Sequence, residues 1–203
     1  MALVKYNNRS ILNVTALDSI ASGGLNLLAT NTISSGVSSS SFTSGIDSTY
    51  DTYMFKFINM HPASSNTHFR VNFRDGGSDF DASKTTTTFF SRHKEDDSGA
   101  SLGYDGSRDL ANGTGYQDIY FDTGANASDE CGSGTLFLFS PSSTTFVKHF
   151  ISVSSSYGDT PREYHNFMAG YCNTTSAIDG VDFKFSSGNI DSGVIKMYGL
   201  SKS

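Results

Sequence analysis

From about position 50 onward the apolar residues of this chain recur with a period of two, in short runs closed by clusters of Gly, Ser, Asn or Asp. Successive side chains of a strand point to opposite faces, so such a period marks a ribbon with one face turned to a core. Residues 67–74 (THFRVNFR) are the cleanest case. Phe69, Val71 and Phe73 fall on one side, and His68, Arg70, Asn72 and Arg74 on the other. In residues 52–60 (TYMFKFINM), Tyr53, Phe55 and Phe57 alternate with Met54, Lys56 and Ile58, so both faces carry apolar weight around one lysine. His61 and Pro62 end this run, because proline cannot donate to a central ladder. Further runs occupy 85–91, 115–121, 134–139, 145–153, 164–171, 178–185 and 194–200, with turns at 75–77, 140–143 and 186–193. Nine or ten short strands with turn signals between them predict an all-β fold. The count fits a jelly-roll-like antiparallel β-sandwich, with additions to its eight strands, better than a seven-stranded immunoglobulin-like one.

The first 32 residues read differently. Ile11, Leu12, Val14, Leu17 and Ile20 are spaced like one face of a helix over residues 9–21, and Ser22, Gly23 and Gly24 would stop it. In the Ser-rich stretch 34–42, Ile33, Val37 and Phe42 suit either a linker or a first strand. The expected organisation is a short N-terminal attachment arm (1–32) followed by one β-sandwich domain (33–203). Residues 93–112 and 122–132 mix charge with glycine and read as long surface loops.

A net charge of −6 with only 14 scattered Lys and Arg argues against nucleic acid and against anionic membrane as partners. No apolar run approaches the ~20 residues that a spanning helix needs, and no basic stretch with an apolar core marks a secretory signal. A soluble protein made in a cytoplasm is expected. Charged residues make up 17% of the chain, below the ~25% of an average soluble protein. Ser and Thr fill about a quarter of it, a hydroxyl surface that suits exposed β faces and extracellular or virion particles and also occurs in ordinary low-complexity chains. Two cysteines, Cys131 and Cys172, are too few for a disulfide scaffold. They read as reduced thiols in or near the core, or as a pair if their strands lie side by side.

The chemistry-bearing patterns are absent. No Gly-x-Ser-x-Gly sits in a strand-to-helix setting, no phosphate-binding glycine loop precedes a helix, and the five histidines lack metal-ligand spacing. No catalytic or cofactor-binding residue is assigned, and the chain is not expected to be an enzyme. Acidic loops offer the best cation candidate. Asp75, Asp79 and Asp81, with Glu95, Asp96 and Asp97, could supply oxygens to calcium, but no EF-hand pattern is met and solvated turns explain them better. For surface recognition the residues singled out are Tyr104, Arg108, Asp109 and Tyr116, at or near the two loops. A missing tryptophan weakens a sugar-stacking platform.

Five segments together carry a resemblance: 2–8 (ALVKYNN), 42–50 (FTSGIDSTY), 53–62 (YMFKFINMHP), 140–150 (SPSSTTFVKHF) and 187–200 (SGNIDSGVIKMYGL). In these the chain resembles virion structural proteins of tailed bacteriophages, notably marine ones infecting cyanobacteria and similar hosts. The resemblance implies a non-enzymatic virion component, synthesised in the host cytoplasm, that docks onto other virion proteins. Capsid decoration, a head fibre and a tail-associated position all fit. It also implies a homo-oligomer, with a trimer favoured. The alternative is a tail-fibre module that recognises a host-surface glycan through the two loops. No functional residue is carried over by the resemblance.

Overall fold

In the computed structural model, which describes residues 24–125 and 127–201, the period-two segments are strands. They are β1 (Leu25–Ile33), β2 (Ser40–Phe42), β3 (Thr52–Pro62), β4 (Thr67–Arg74), β5 (Lys84–Lys94) and β6 (Ala100–Tyr104). After a single 3-10 turn (Gly106–Arg108) come β7 (Gln117–Thr123), β8 (Gly132–Phe139), β9 (Lys148–Tyr157), β10 (Arg162–Cys172), β11 (Gly180–Phe185) and β12 (Ile190–Leu200). No helix among the described residues is long and apolar enough to cross a membrane.

The strands form two antiparallel sheets, an eight-stranded one ordered β1-β12-β3-β8-β9-β10-β5-β6 and a four-stranded one ordered β2-β11-β4-β7. The fold is an all-β sandwich. Its jelly-roll character lies in one ribbon. β3 pairs with β12 in the large sheet, β4 pairs with β11 in the small one, and the chain passes between sheets at both corners. The corners meet where Gly188, at φ +71°, leaves no room for a Cβ beside Ser64. Only glycine adopts that backbone conformation without strain.

The core lies where the small sheet covers the middle of the large one. Tyr53, Phe55 and Phe57 of β3 and Phe69, Val71 and Phe73 of β4 are wholly buried, as their alternation predicts. Phe69 stacks on Phe183 with ring centroids 5.7 Å apart and planes 10° from parallel, and Phe73 meets Phe150 at 4.7 Å. Each such side chain is worth about 1.5–3 kcal/mol of burial.

Two parts of the fold differ from the sequence reading, and a third settles a facing that the alternation leaves open. The helix expected over residues 9–21 lies outside the described residues, but β1 falls within the stretch assigned to the arm. It is laddered to β12 from Leu25↔Leu200 to Ile33↔Gly193, so the large sheet takes in residues 25–32. Residues 100–104, read as loop, form β6 on the open edge of β5. In β9 the polarity is inverted. Ser152, Ser154 and Ser156 are buried, while Ile151 and Val153 face outward. Two of the inward serines are tolerated because their hydroxyls find carbonyls, Ser152 donating to Thr135 O at 3.0 Å and Ser154 to Ile119 O at 3.2 Å, whereas the Ser156 hydroxyl has no partner among the described residues.

Candidate interaction surface

The two sheets present opposite chemistry to solvent. On the small sheet most charged outward residues of β4, β7 and β11 are already paired. Arg70 binds Asp118, and Arg108 reaches the same carboxylate at 2.9 Å. Arg108 also pairs with Asp105 at 3.2 Å and Asp122 at 3.6 Å, and its guanidinium lies 4.6 Å over the Phe121 ring. Burial opposes the charge on Arg108, but hydrogen bonding and attraction to Asp118 outweigh it and hold its pKa above the ordinary value. His68, which faces the backbone N–H of Asp122 through Nδ1 at 3.1 Å, is pushed below the usual imidazole range by burial, against the pull of Asp118. Its Nδ1 therefore accepts that N–H as neutral imidazole. At the other side of the sheet Arg74 pairs with Asp179 at 2.7 Å.

Of the four residues singled out from sequence, the structure brings three together. Tyr104 closes β6 and donates its hydroxyl to Asp109, and the 3-10 turn between them carries Arg108. Tyr104 is 66% exposed, whereas Arg108 turns inward to its three carboxylates. Tyr116 stands apart. It donates to Asp182 at 2.7 Å, which with burial raises the phenol well above its usual pKa, and Lys184 sits 4.0 Å over its ring. These side chains are tied into internal networks, and only Tyr104 presents a free ring face.

The large sheet shows solvent the reverse. Cross-strand partners share a face, so the register gives the outer surface row by row. One row runs Leu27, Tyr198, Met54, Phe137, Ile151, Ala169, from β1 across to β10. In the next, Val153, Phe167, Phe89 and Tyr104 continue from β9 to β6, and Lys56 and Lys196 lie opposite one another at the β3–β12 end. Phe89 and Phe167 stack with centroids 4.7 Å apart and planes 7° from parallel. Phe89 is 45% exposed, Ile151 44% and Val153 40%. Beside Ile151 the small residues Ala169 and Gly170 floor a recess of about 400 Å³, bounded also by His149 and Tyr171. An apolar band of this extent on one sheet face marks an interaction surface.

The sequence held one signal of the band that goes beyond single residues. Residues 135–139 of β8 are apolar at both parities from Leu136 on, the pattern of a strand covered on both faces. Among the described residues the small sheet covers only one.

Other candidates are accounted for. Among the described residues no group of three or more His, Cys, Asp or Glu is placed to hold a metal ion. Asp96 accepts the backbone N–H of Ser98 at 3.0 Å, and Asp97 pairs with His93 at 3.1 Å. Cys131 and Cys172 are free thiols. Cys131 abuts Tyr157 at one end of β9 and Cys172 pairs with Lys148 at the other, about 30 Å apart at the rise of an extended strand. No disulfide can join them. No protein-family model matches the chain, and no curated protein matches its sequence.

Proposed function

We propose that the chain is a non-enzymatic structural component of a bacteriophage virion that docks onto other virion protein through the outer face of its eight-stranded sheet. The observation that carries this reading is the apolar band across that face, opposite a small sheet most of whose charges are internally paired. A soluble protein does not leave stacked Phe89 and Phe167 beside Ile151 and Val153 open to water without a use for them. The five segments that resemble tailed-phage virion proteins supply the setting, as capsid decoration, head fibre or tail-associated component. Glycan recognition is the weaker reading, because Tyr104, the best residue to stack on a sugar, is the last member of the apolar row.

The test is mass spectrometry of gradient-purified particles from a culture that produces the chain. Peptides of this chain in fixed stoichiometry with the particle proteins are expected. Their presence only in the particle-free supernatant would overturn the reading.

A further inference from the structure

The area, the charges and the relief of the outer face all point to one occupant. The large sheet spans eight strands, about 34 Å at the spacing of neighbouring strands. Its four outward rows, from Leu200 to Val194, cover about 20 Å along the strands. A contact over this face would remove ~700 Å² from each partner, close to the ~800 Å² per side of a specific, stable interface. Its centre, Phe137, Ile151, Val153 and Phe167, is free of charge, as in interfaces between identical subunits.

The two halves of the face are unlike, and they complement each other. On the β12–β3–β8 half, Tyr198, Met54 and Phe137 pile into a ridge in which Met54 is already nearly covered. In the same row the β9–β10–β5 half carries Ala169 and Thr87 and sinks into the recess. One row on, Lys196 and Lys56 stand directly opposite each other, a like-charge pair that no ion pair relieves among the described residues. The matching positions of the other half are Phe89 and Phe167, the stacked pair. A two-fold axis parallel to the strands, between β8 and β9, exchanges β3 with β10 and β12 with β5. It lays ridge into recess and each lysine over the stacked aromatic pair, where the apolar stem packs on the ring edges and the ammonium moves away from its like-charged neighbour.

We infer that the outer face is covered by a second copy of this chain, the two eight-stranded sheets packing face to face as a two-fold pair. The inference rests on the reading of this face as a docking surface, and makes the virion protein that docks there a second copy of this chain. Sheets pack in this way about 10 Å apart and within ~30° of alignment, and a two-fold interface is self-complementary in the sense described. The pair is isologous, unlike the trimer that the resemblance implies.

The experiment is light scattering on the full chain, with Ile151→Lys and with the double variant Lys56→Cys, Phe167→Cys. The expected wild-type mass is twice 21.8 kDa, 2 × 21.8 = 43.6 kDa, or an even multiple of it, falling to 21.8 kDa in Ile151→Lys with an unchanged circular dichroism spectrum. A short bis-maleimide, whose reach suits thiols facing each other across sheets ~10 Å apart, is expected to link the double variant, but not the wild type, into a covalent dimer. Residues 56 and 167 lie three strands apart in one chain, with side chains that do not point at each other, so the bridge forms between copies. If Ile151→Lys does not fold, the cross-link alone decides. A wild-type monomer, or an oligomer indifferent to both variants, would overturn the inference. If the wild type is monomeric but Ile151→Lys is lost from purified particles, the second copy is wrong and the docking reading stands. A monomer that pairs only after deletion of residues 1–23 would assign the face to the chain's own N-terminal segment and also overturn it.

Discussion

Lys84 shows how a single residue sets a measurable property of this sandwich. Its side chain is wholly buried, donates to Gly115 O at 2.8 Å, and lies beside Cys172 in the β5–β10 register. Burial pushes the Lys84 ammonium down to about 8, from 10.5 in the open chain. Burial also pushes the Cys172 thiol up to about 12, from 9.0. Between pH 8 and 10.5 the unfolded chain holds a proton on Lys84 that the folded chain has lost, so stability rises with pH there. Above pH 9 the unfolded chain loses the Cys172 proton that the folded chain keeps, which acts the other way. The denaturation midpoint is therefore expected to rise between pH 8 and 9, by about 1 kcal/mol in stability, and to level off above. Lys84→Met is expected to reduce the rise, leaving the part contributed by Lys148, whose ammonium burial also lowers. A wild-type midpoint that is flat or falling from pH 8 to 9 in urea titrations would contradict the assignment.

At the level of elements, protection should follow depth in the large sheet. β3, β8 and β12 have neighbours on both sides and bury the Phe55–Phe57 core, whereas β6 ladders with β5 alone among the described residues. Amides of residues 100–104 are expected to exchange hydrogen at least ~100-fold faster than those of residues 53–57, read by mass spectrometry of peptide fragments. Equal protection would mean that the edge is paired with something else. The same strands show what was legible in the sequence. β3 and β4 announce themselves, because aromatics at alternate positions specify both the strand and its buried face. β6 does not, because Ala100, Ser101 and Gly103 carry no β preference and the strand exists only by pairing with β5. In β9 the alternation of Ile151 and Val153 with Ser152, Ser154 and Ser156 is plain, yet it cannot say which set faces in. Carbonyls of Thr135 and Ile119, brought there by β8 and β7, decide it. The candidate surface escaped for the same reason, since it is assembled from outward parities of eight strands distant in the chain. Tyr104, Arg108 and Asp109 were found together only because they are neighbours in sequence.

The whole molecule is two-sided, with a lattice of ion pairs on the small sheet and an apolar band on the large one. The two sides answer salt in opposite directions. Exposed pairs such as Arg74–Asp179 are screened, while sulfate, excluded from apolar surface, strengthens its burial. Self-association through the band is accordingly expected to tighten in about 0.5 M sodium sulfate, measured by sedimentation, and a complex that dissociates there would be held by charge instead. The topology also bears on how the chain is made. β1 ladders only with β12 among the described residues, and β3 needs the same strand on its outer side. A ribosome adding about 5–20 residues each second thus exposes β1 long before residues 190–200 emerge to close the sheet. Any nascent chain stalled or cut short before that point leaves two strand edges open at once, so the nascent chain must be kept from its neighbours until synthesis has passed residue 200.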